Sequence, residues 1–241
     1  MQKTAPPKAL MLAENASLAH GPPLLLQYLS EKEGAELLKE GTRRAIYRGK
    51  MVFSQGALHD GIFLIETGRI RVFYVAPQGR EITLAYWYPG NFVGGPELMG
   101  QGRHVWSGVA ATNSTVIHIP GMALRRLIPR MPGLAFGLIE GLTFKGKCYS
   151  ALAQMLGTRS VSERLVHLLL HLCDAYGRVE GETIIIGASL THADLAHMVG
   201  ATRQWVTISL KRLEAQGVLK TEKSGIVVFG IERLRACQED K

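Results

Sequence analysis

The chain has 241 residues, 46% of them hydrophobic, with 28 Lys+Arg against 20 Asp+Glu for a formal charge of +8. That is material for one large or two ordinary globular domains; no apolar run reaches the roughly 18 residues of a bilayer span, and "GPPLLLQYLS" lacks the charged start and small-residue cleavage pattern of a secretion signal. Three cysteines, Cys148, Cys173 and Cys237, at wide spacing and without a CxxC exclude a disulfide framework and a zinc or iron–sulfur cage, so the reading is a reduced, cytoplasmic protein with no membrane partner.

Residues 1–40 read as a Pro-containing arm followed by a helix from Glu31 to Glu40. Residues 41–128 change texture, to short runs of β-branched and aromatic residues punctuated by Gly56, Gly68, Gly79, Gly90 and Gly94. Alternation inside the runs, as in Ile70, Val72, Tyr74 and then Ile82, Leu84, Tyr86, predicts an antiparallel roll or small barrel. After "STVIHIP" the period becomes helical. "MALRRLIPRMPG" predicts a short helix, and Leu134, Leu138, Leu142, Lys145, Tyr149, Leu152 and Leu156 predict a long one within 129–157, with Gly157 as a hinge. Residues 158–241 open with Ser160 and Glu163 in a capping-box arrangement, followed by Leu165, Leu168, Leu169 and Leu172 as a buried side.

In "THADLAHMVGATRQWVTISLKRLEAQGVLK", Thr191 and Asp194 form a second capping box, Gly200 supplies a turn, and Thr202 caps another helix. Val206, Leu210 and Leu213 face inward there, which leaves Arg203, Gln204, Thr207 and Lys211 pointing outward. Gly217 ends that helix, and "VLKTEKSGIVVFG" reads as two strands joined at Ser224-Gly225. This is a winged helix-turn-helix. Such a helix enters the major groove with its first residues at base edges, where Arg pairs with guanine and Gln with adenine, and its N-terminus attracts phosphate. The competing reading is an ordinary helical hairpin with a solvated face. Bulk charge does not decide between them: Lys/Arg against Asp/Glu is 17 to 10 before residue 157 and 11 to 10 from there on.

Across about residues 43–235 the chain resembles the cyclic-AMP receptor protein and fumarate-nitrate regulator (CRP/FNR) superfamily of bacterial transcription factors. The resemblance rests on "FSQG", "IFLIETGRIRV", "GREITLAYWYPGNFVG", the long helix and "LTHADLAHMVGATRQWVTISLKRLEAQGVL". It implies an α+β protein with an N-terminal jelly-roll sensor like a cyclic-nucleotide-binding domain, a long dimerisation helix and a C-terminal winged helix-turn-helix. It further implies a homodimer that binds double-stranded DNA, works with RNA polymerase and answers to a small-molecule effector. Thr202, Arg203, Gln204 and Thr207 match the family's DNA-reading positions; Gln204 stands where many members have Glu, and Ile208 where another arginine is often found.

The sensor departs from the nucleotide-binding pattern. In "FVGGPELMGQGRHVWSGVA", Gly95 stands in place of the cassette's Glu, and Val105-Trp106 in place of its Arg-Ser, with Glu97, Arg103 and His104 nearby. Cyclic AMP is therefore disfavoured and the arm has no cysteine for an iron–sulfur cluster; a haem- or redox-responsive regulator of the same family stays open as an alternative, with haem itself unsupported because Gly94 to Pro96 occupy the place of a His ligand. The expected effector site lies between roll and long helix: Trp87 and Trp106 supply apolar surface, Arg103 or Lys145 meets an anionic group, and Tyr149 and Ser150 take the helix positions that approach the ligand in relatives.

Three rivals remain. An enzyme is disfavoured, since His167 and His171 have no third ligand and no Glu between them, His192 and His197 do not share a face, and no nucleophile or phosphate-loop motif occurs; no catalytic or metal residue is assigned. A ligand-binding adaptor without DNA contact and a thiol switch at Cys148 complete the set.

Overall fold

The computed structural model describes residues 21–100, 102–187, 190–222 and 225–237; most of the predicted arm, and Ser224 of the predicted wing turn, lie outside the described residues. The chain divides into two compact units, one reaching to Tyr149 and one starting at Ser150.

The first unit opens with a short 3-10 turn, Leu25–Tyr28, and helix α1, Glu31–Lys39. Ser30 accepts from the Glu33 backbone N–H while the Glu33 carboxylate accepts from Ser30 N–H at 2.9 Å, so two amides that helix start would leave bare are satisfied. Ten strands follow: β1 Thr42–Ile46, β2 Met51–Phe53, β3 Leu58–His59, β4 Ile62–Thr67, β5 Ile70–Val75, β6 Glu81–Trp87, β7 Phe92–Gly94, β8 Gly102–Arg103, β9 Ser107–Ala110 and β10 Ser114–Ile119. They form two four-stranded antiparallel sheets, ordered β1-β10-β4-β7 and β2-β9-β5-β6, with β3 and β8 as a separate pair. Then come α2, Gly121–Leu127, and α3, Pro132–Thr158.

The alternation expected in β5 and β6 holds only in part. The register shifts between Val72 and Phe73, and this bulge moves Phe73 to the buried side while Tyr74 turns out to 38% exposure. Opposite, the deeply buried residues are Thr83, Ala85 and Trp87, with Ile82 and Leu84 half-buried; Tyr86 is also buried, its ring under the Arg69 guanidinium. The core joins one sheet to the helices: Ile62, Leu64, Phe92, Ile117 and Ile119 pack with Leu37, Leu124, Leu127, Leu134 and Leu138.

Gly133, Gly137 and Gly141 repeat every fourth residue on α3, and a Cβ at each would collide with Tyr28, Leu25 and Phe92 respectively. Residues four apart share a helix face, so this face of α3 is bare backbone for three positions, two against the 3-10 turn and one against Phe92 of the roll. Lys145 and then Tyr149 continue the same row.

In the second unit α4, Val161–Tyr176, starts at the Ser160–Glu163 capping box and buries Leu165, Val166, Leu168, Leu169 and Leu172. β11 Gly177–Glu180 and β12 Thr183–Ile186 follow, then α5 His192–Val199, α6 Arg203–Ala215, β13 Leu219–Glu222, β14 Gly225–Val228 and α7 Ile231–Ala236. The wing is a four-stranded sheet ordered β11-β12-β14-β13.

The hinge expected at Gly157, within Leu156 to Thr158, needs correction. α3 stays helical through Thr158, and the chain breaks at Arg159 and Ser160. The break is fastened by Arg164, a buried side chain on α4. Its Nε donates to Val199 O at 2.9 Å, and its guanidinium donates to Leu156 O at 3.3 Å and to Arg159 O at 3.1 Å. One cation thus serves carbonyls at the ends of α3 and α5, which carry the negative ends of their dipoles.

Candidate nucleic-acid interface and effector pocket

α5 begins where Thr191 accepts from Asp194 N–H at 3.1 Å and the Asp194 carboxylate accepts from Thr191 N–H at 2.8 Å. It ends at Gly200, whose φ of 71° is left-handed and so suits a residue without Cβ. Two residues later Thr202 caps α6, accepting from Trp205 N–H at 3.1 Å. Val206, Leu210 and Leu213 anchor the helix inward, as their spacing predicts. Its far end is tied to the wing, where the Glu214 carboxylate accepts from Thr221 N–H at 2.6 Å; that bond holds the Glu214 carboxyl below its ordinary range.

Thr202, Arg203 and Gln204 are exposed at the start of a capped and anchored helix, and Lys211 is exposed two turns further on. Thr207 differs. Its hydroxyl donates to Arg203 O at 2.9 Å and sits 2.9 Å from His192 Nδ1, so its proton is already committed within the chain. Ile208 is 60% exposed beside it. An apolar side chain in that place can contact a thymine methyl but cannot bond a base edge.

In the first unit the residues proposed for the effector fall into two groups. Trp87, Trp106, Lys145 and Tyr149 gather around β7. Lys145 Nζ lies 3.7 Å from the Phe92 ring centroid and 4.5 Å from that of Trp87. Trp106 donates from Nε1 to Gly94 O at 2.6 Å and meets the Tyr149 ring edge-on at 5.4 Å. Burial pushes the Tyr149 phenol up, and pushes the Cys148 thiol up to about 12 despite the attraction of Lys145. Burial pushes Lys145 the other way, down to about 7, with only the Cys148 thiol opposing.

The second group is elsewhere on the roll. Arg103 is exposed and donates to Gly56 O at 2.6 Å. Glu97 leans over Gly102, filling the space a Cβ there would need. His104 is buried, its ring 4.5 Å from Phe53 and 4.4 Å from His59, and burial lowers it to about 4. Ser150 is exposed and belongs to the second unit.

The sequence reading missed His59. Its Nε2 accepts from Gly95 N–H at 2.7 Å and occupies the space a side chain at 95 would fill. The glycine that replaces the cassette's Glu is therefore held by a buried imidazole. Cys148 is buried and keeps its proton, which removes the basis for a thiolate switch there. Among the described residues no three His, Cys, Asp or Glu side chains are grouped to hold a metal, and no helix is long and apolar enough to cross a membrane.

Residues 43–131 match the family described as cyclic nucleotide-binding domain, and residues 163–237 the Crp-like helix-turn-helix domain. The chain belongs to the CRP/FNR superfamily of transcription regulators. It is 27% identical over 188 residues to the CRP-like cAMP-activated global transcriptional regulator of Mycobacterium tuberculosis, a match covering 78% of this chain and 84% of that one. It is 28% identical over 184 residues to the global nitrogen regulator of Synechococcus elongatus, covering 76% and 83%. Two solved structures share the CRP/FNR fold at a TM-score of 0.75: the c-di-GMP-responsive regulator CLP of Xanthomonas campestris, 21% identical over 83% of this chain and 100% of that one, and a CooA mutant from Carboxydothermus hydrogenoformans, 18% identical over 95% and 99%.

Proposed function

We propose that this CRP/FNR regulator binds a near-palindromic operator as a homodimer, reading each half-site with Arg203 and Gln204 while Thr202 and Lys211 meet phosphate. The observation that carries this is the start of α6: three consecutive exposed polar side chains, Thr202, Arg203 and Gln204, on a helix capped at its first turn and anchored by Val206, Leu210 and Leu213. Thr207 positions Arg203 through its carbonyl instead of reaching a base. Dimerisation falls to α3, where the large apolar side chains Phe136 and Ile139 remain 62% and 56% exposed. Two such helices joined along that stripe would bury both.

Domains for this activity run as a sensor over 41–128, a dimerisation helix over 129–157 and a reading domain over 158–241, with RNA polymerase as partner and the cytoplasm as compartment. The effector seats at Trp87, Trp106, Lys145 and Tyr149; Glu97, Arg103 and His104 lie in the other group and stand outside this seat. Effector binding shifts the population between two dimer arrangements, and Arg164, at the break after α3, passes the change to α5 and α6.

Selection from random duplexes followed by gel-shift titration tests the reading. A two-fold-symmetric site with half-sites about 34 Å apart is expected, with affinity falling steeply as salt rises. A monomeric protein without preference among duplexes would overturn it.

A further inference from the structure

Lys145 is 8% exposed, and among the described residues no carboxylate lies within ion-pair distance of it. What surrounds it is aromatic. Ring faces attract the cation, but they replace only part of the hydration an ammonium loses on burial. Beside it stands a buried donor with no acceptor, the indole Nε1 of Trp87. Buried donors are nearly always paired, so this one, next to a cation without a counter-charge, marks a missing acceptor. The row along α3 points the same way. Gly133 and Gly137 let the 3-10 turn close on the helix backbone, Gly141 does the same for Phe92 of the roll, and the first long side chain in that row is the lysine.

We infer that the roll takes a small organic acid, whose anionic oxygens are received by Lys145 Nζ and Trp87 Nε1–H. This rests on the effector seat proposed above and names its ligand class. The seat suits an acid in particular, because a neutral carbonyl would satisfy the indole yet leave the ammonium without a counter-charge.

Binding is then coupled to a proton. The groups facing Lys145 are the Trp87 and Phe92 rings from β6 and β7 and the Cys148 thiol from α3, with Tyr149 one turn on; none is anionic near neutrality, and Glu81 at the far end of β6 is paired with Arg71. The empty seat holds a largely neutral amine above pH 7, since burial lowers that group to about 7. An arriving anion restores the charge, so one proton is taken up as the complex forms. No covalent bond is made or broken.

Isothermal titration of the full-length protein would use benzoate, butyrate and glutarate, each against its amide. At least one acid should bind while its amide does not. Affinity should fall about 20-fold between pH 6.5 and pH 8.5, and heats measured in phosphate and Tris should differ by the ionisation of the buffer. Lys145→Met should weaken binding roughly 10- to 100-fold, and Trp87→Phe, which keeps the ring and removes the donor, less than that. Amide binding equal to acid binding, no binding by any acid in the panel, or unchanged affinity in Lys145→Met would each overturn the inference. Operator selection by the same protein separates the two claims: a specific DNA binder that ignores every acid refutes the ligand class and leaves the DNA reading intact.

Discussion

In the winged-helix unit the groups that would meet a partner stand on the outside of an anchored helix, whereas in the roll they are enclosed, and the two arrangements have opposite energetics. Arg203, Gln204 and Lys211 are solvated, so folding gains and loses little from them. Lys145 is buried against rings without a counter-charge and Trp87 Nε1 is buried without an acceptor, so the folded roll carries a penalty that a ligand can remove. An exposed reader can be exchanged residue by residue, while a buried sensor is coupled to the stability of its unit. The substitutions below divide along that line.

The largest effect is expected at Arg164, a buried cation bonded to three backbone carbonyls. Arg164→Met keeps the bulk and removes the donors to Leu156, Arg159 and Val199 carbonyls. Three stranded acceptors should cost roughly 4 kcal/mol, with Arg164→Lys recovering only part. Urea unfolding followed by circular dichroism measures this, and a loss below about 1 kcal/mol would show that Arg164 does not fasten the break after α3.

Lys145→Met should act in the opposite direction. The folded group sits at about 7 against 10.5 for the free side chain, so between those values the unfolded chain binds more protons and stability rises with pH. The penalty is therefore complete below pH 7 and gone above about 10.5. The lost ring contacts, about 1 kcal/mol each, offset part of the gain. A net stabilisation of roughly 2–3 kcal/mol is expected at pH 6, shrinking towards pH 10. A destabilised variant at pH 6 would mean that the lysine already has a counter-charge in the folded roll.

Much of this division could be read from the residues alone. Capping boxes at Ser160 and Thr191, the cap at Thr202 and the inward triad of α6 are local patterns, and all recur in the structure. Long-range features were less legible. The bulge after Val72 changes which residue of β5 is buried, and it is set by pairing with β6, which periodicity does not report. The strands β11 and β12 and the helix α7 went unread because "GRVEGETIII" and "IERLRA" are too short to show a period. Two signals were present and overlooked: Arg164 shares a helix face with Leu168 and Leu172, and the glycines of α3 fall four apart ahead of Lys145. A charge in an apolar row needs a partner, and here the partners are carbonyls in one case and absent in the other. His59 could not have been assigned, because its contact with Gly95 spans 36 residues.

On the exposed side, Arg203→Ala should leave stability nearly unchanged and cost about 2 kcal/mol on the operator, with selectivity relaxed at one base pair per half-site. Gln204→Glu should shift preference at its own base pair from adenine towards cytosine without comparable loss elsewhere. Selection on random duplexes with each variant reads both effects, and identical site preferences for all three proteins would remove these residues from the interface.

The smallest expected effect tests whether Thr202 belongs to the fold, to the DNA or to both. Its hydroxyl caps α6 through Trp205 N–H, and Thr202→Ala should lower stability by about 1 kcal/mol while Thr202→Ser, which keeps the oxygen, should not. Operator affinity then separates the roles. A residue that only caps lets the helix start fray, so Thr202→Ala weakens DNA binding by no more than it weakens folding, and Thr202→Ser binds as the parent does. A hydroxyl that also meets phosphate gives a larger loss on DNA than in folding, with the salt dependence unchanged because a neutral hydroxyl displaces no counterion. The second outcome is expected, because Thr202 is exposed at the start of the helix proposed to enter the groove.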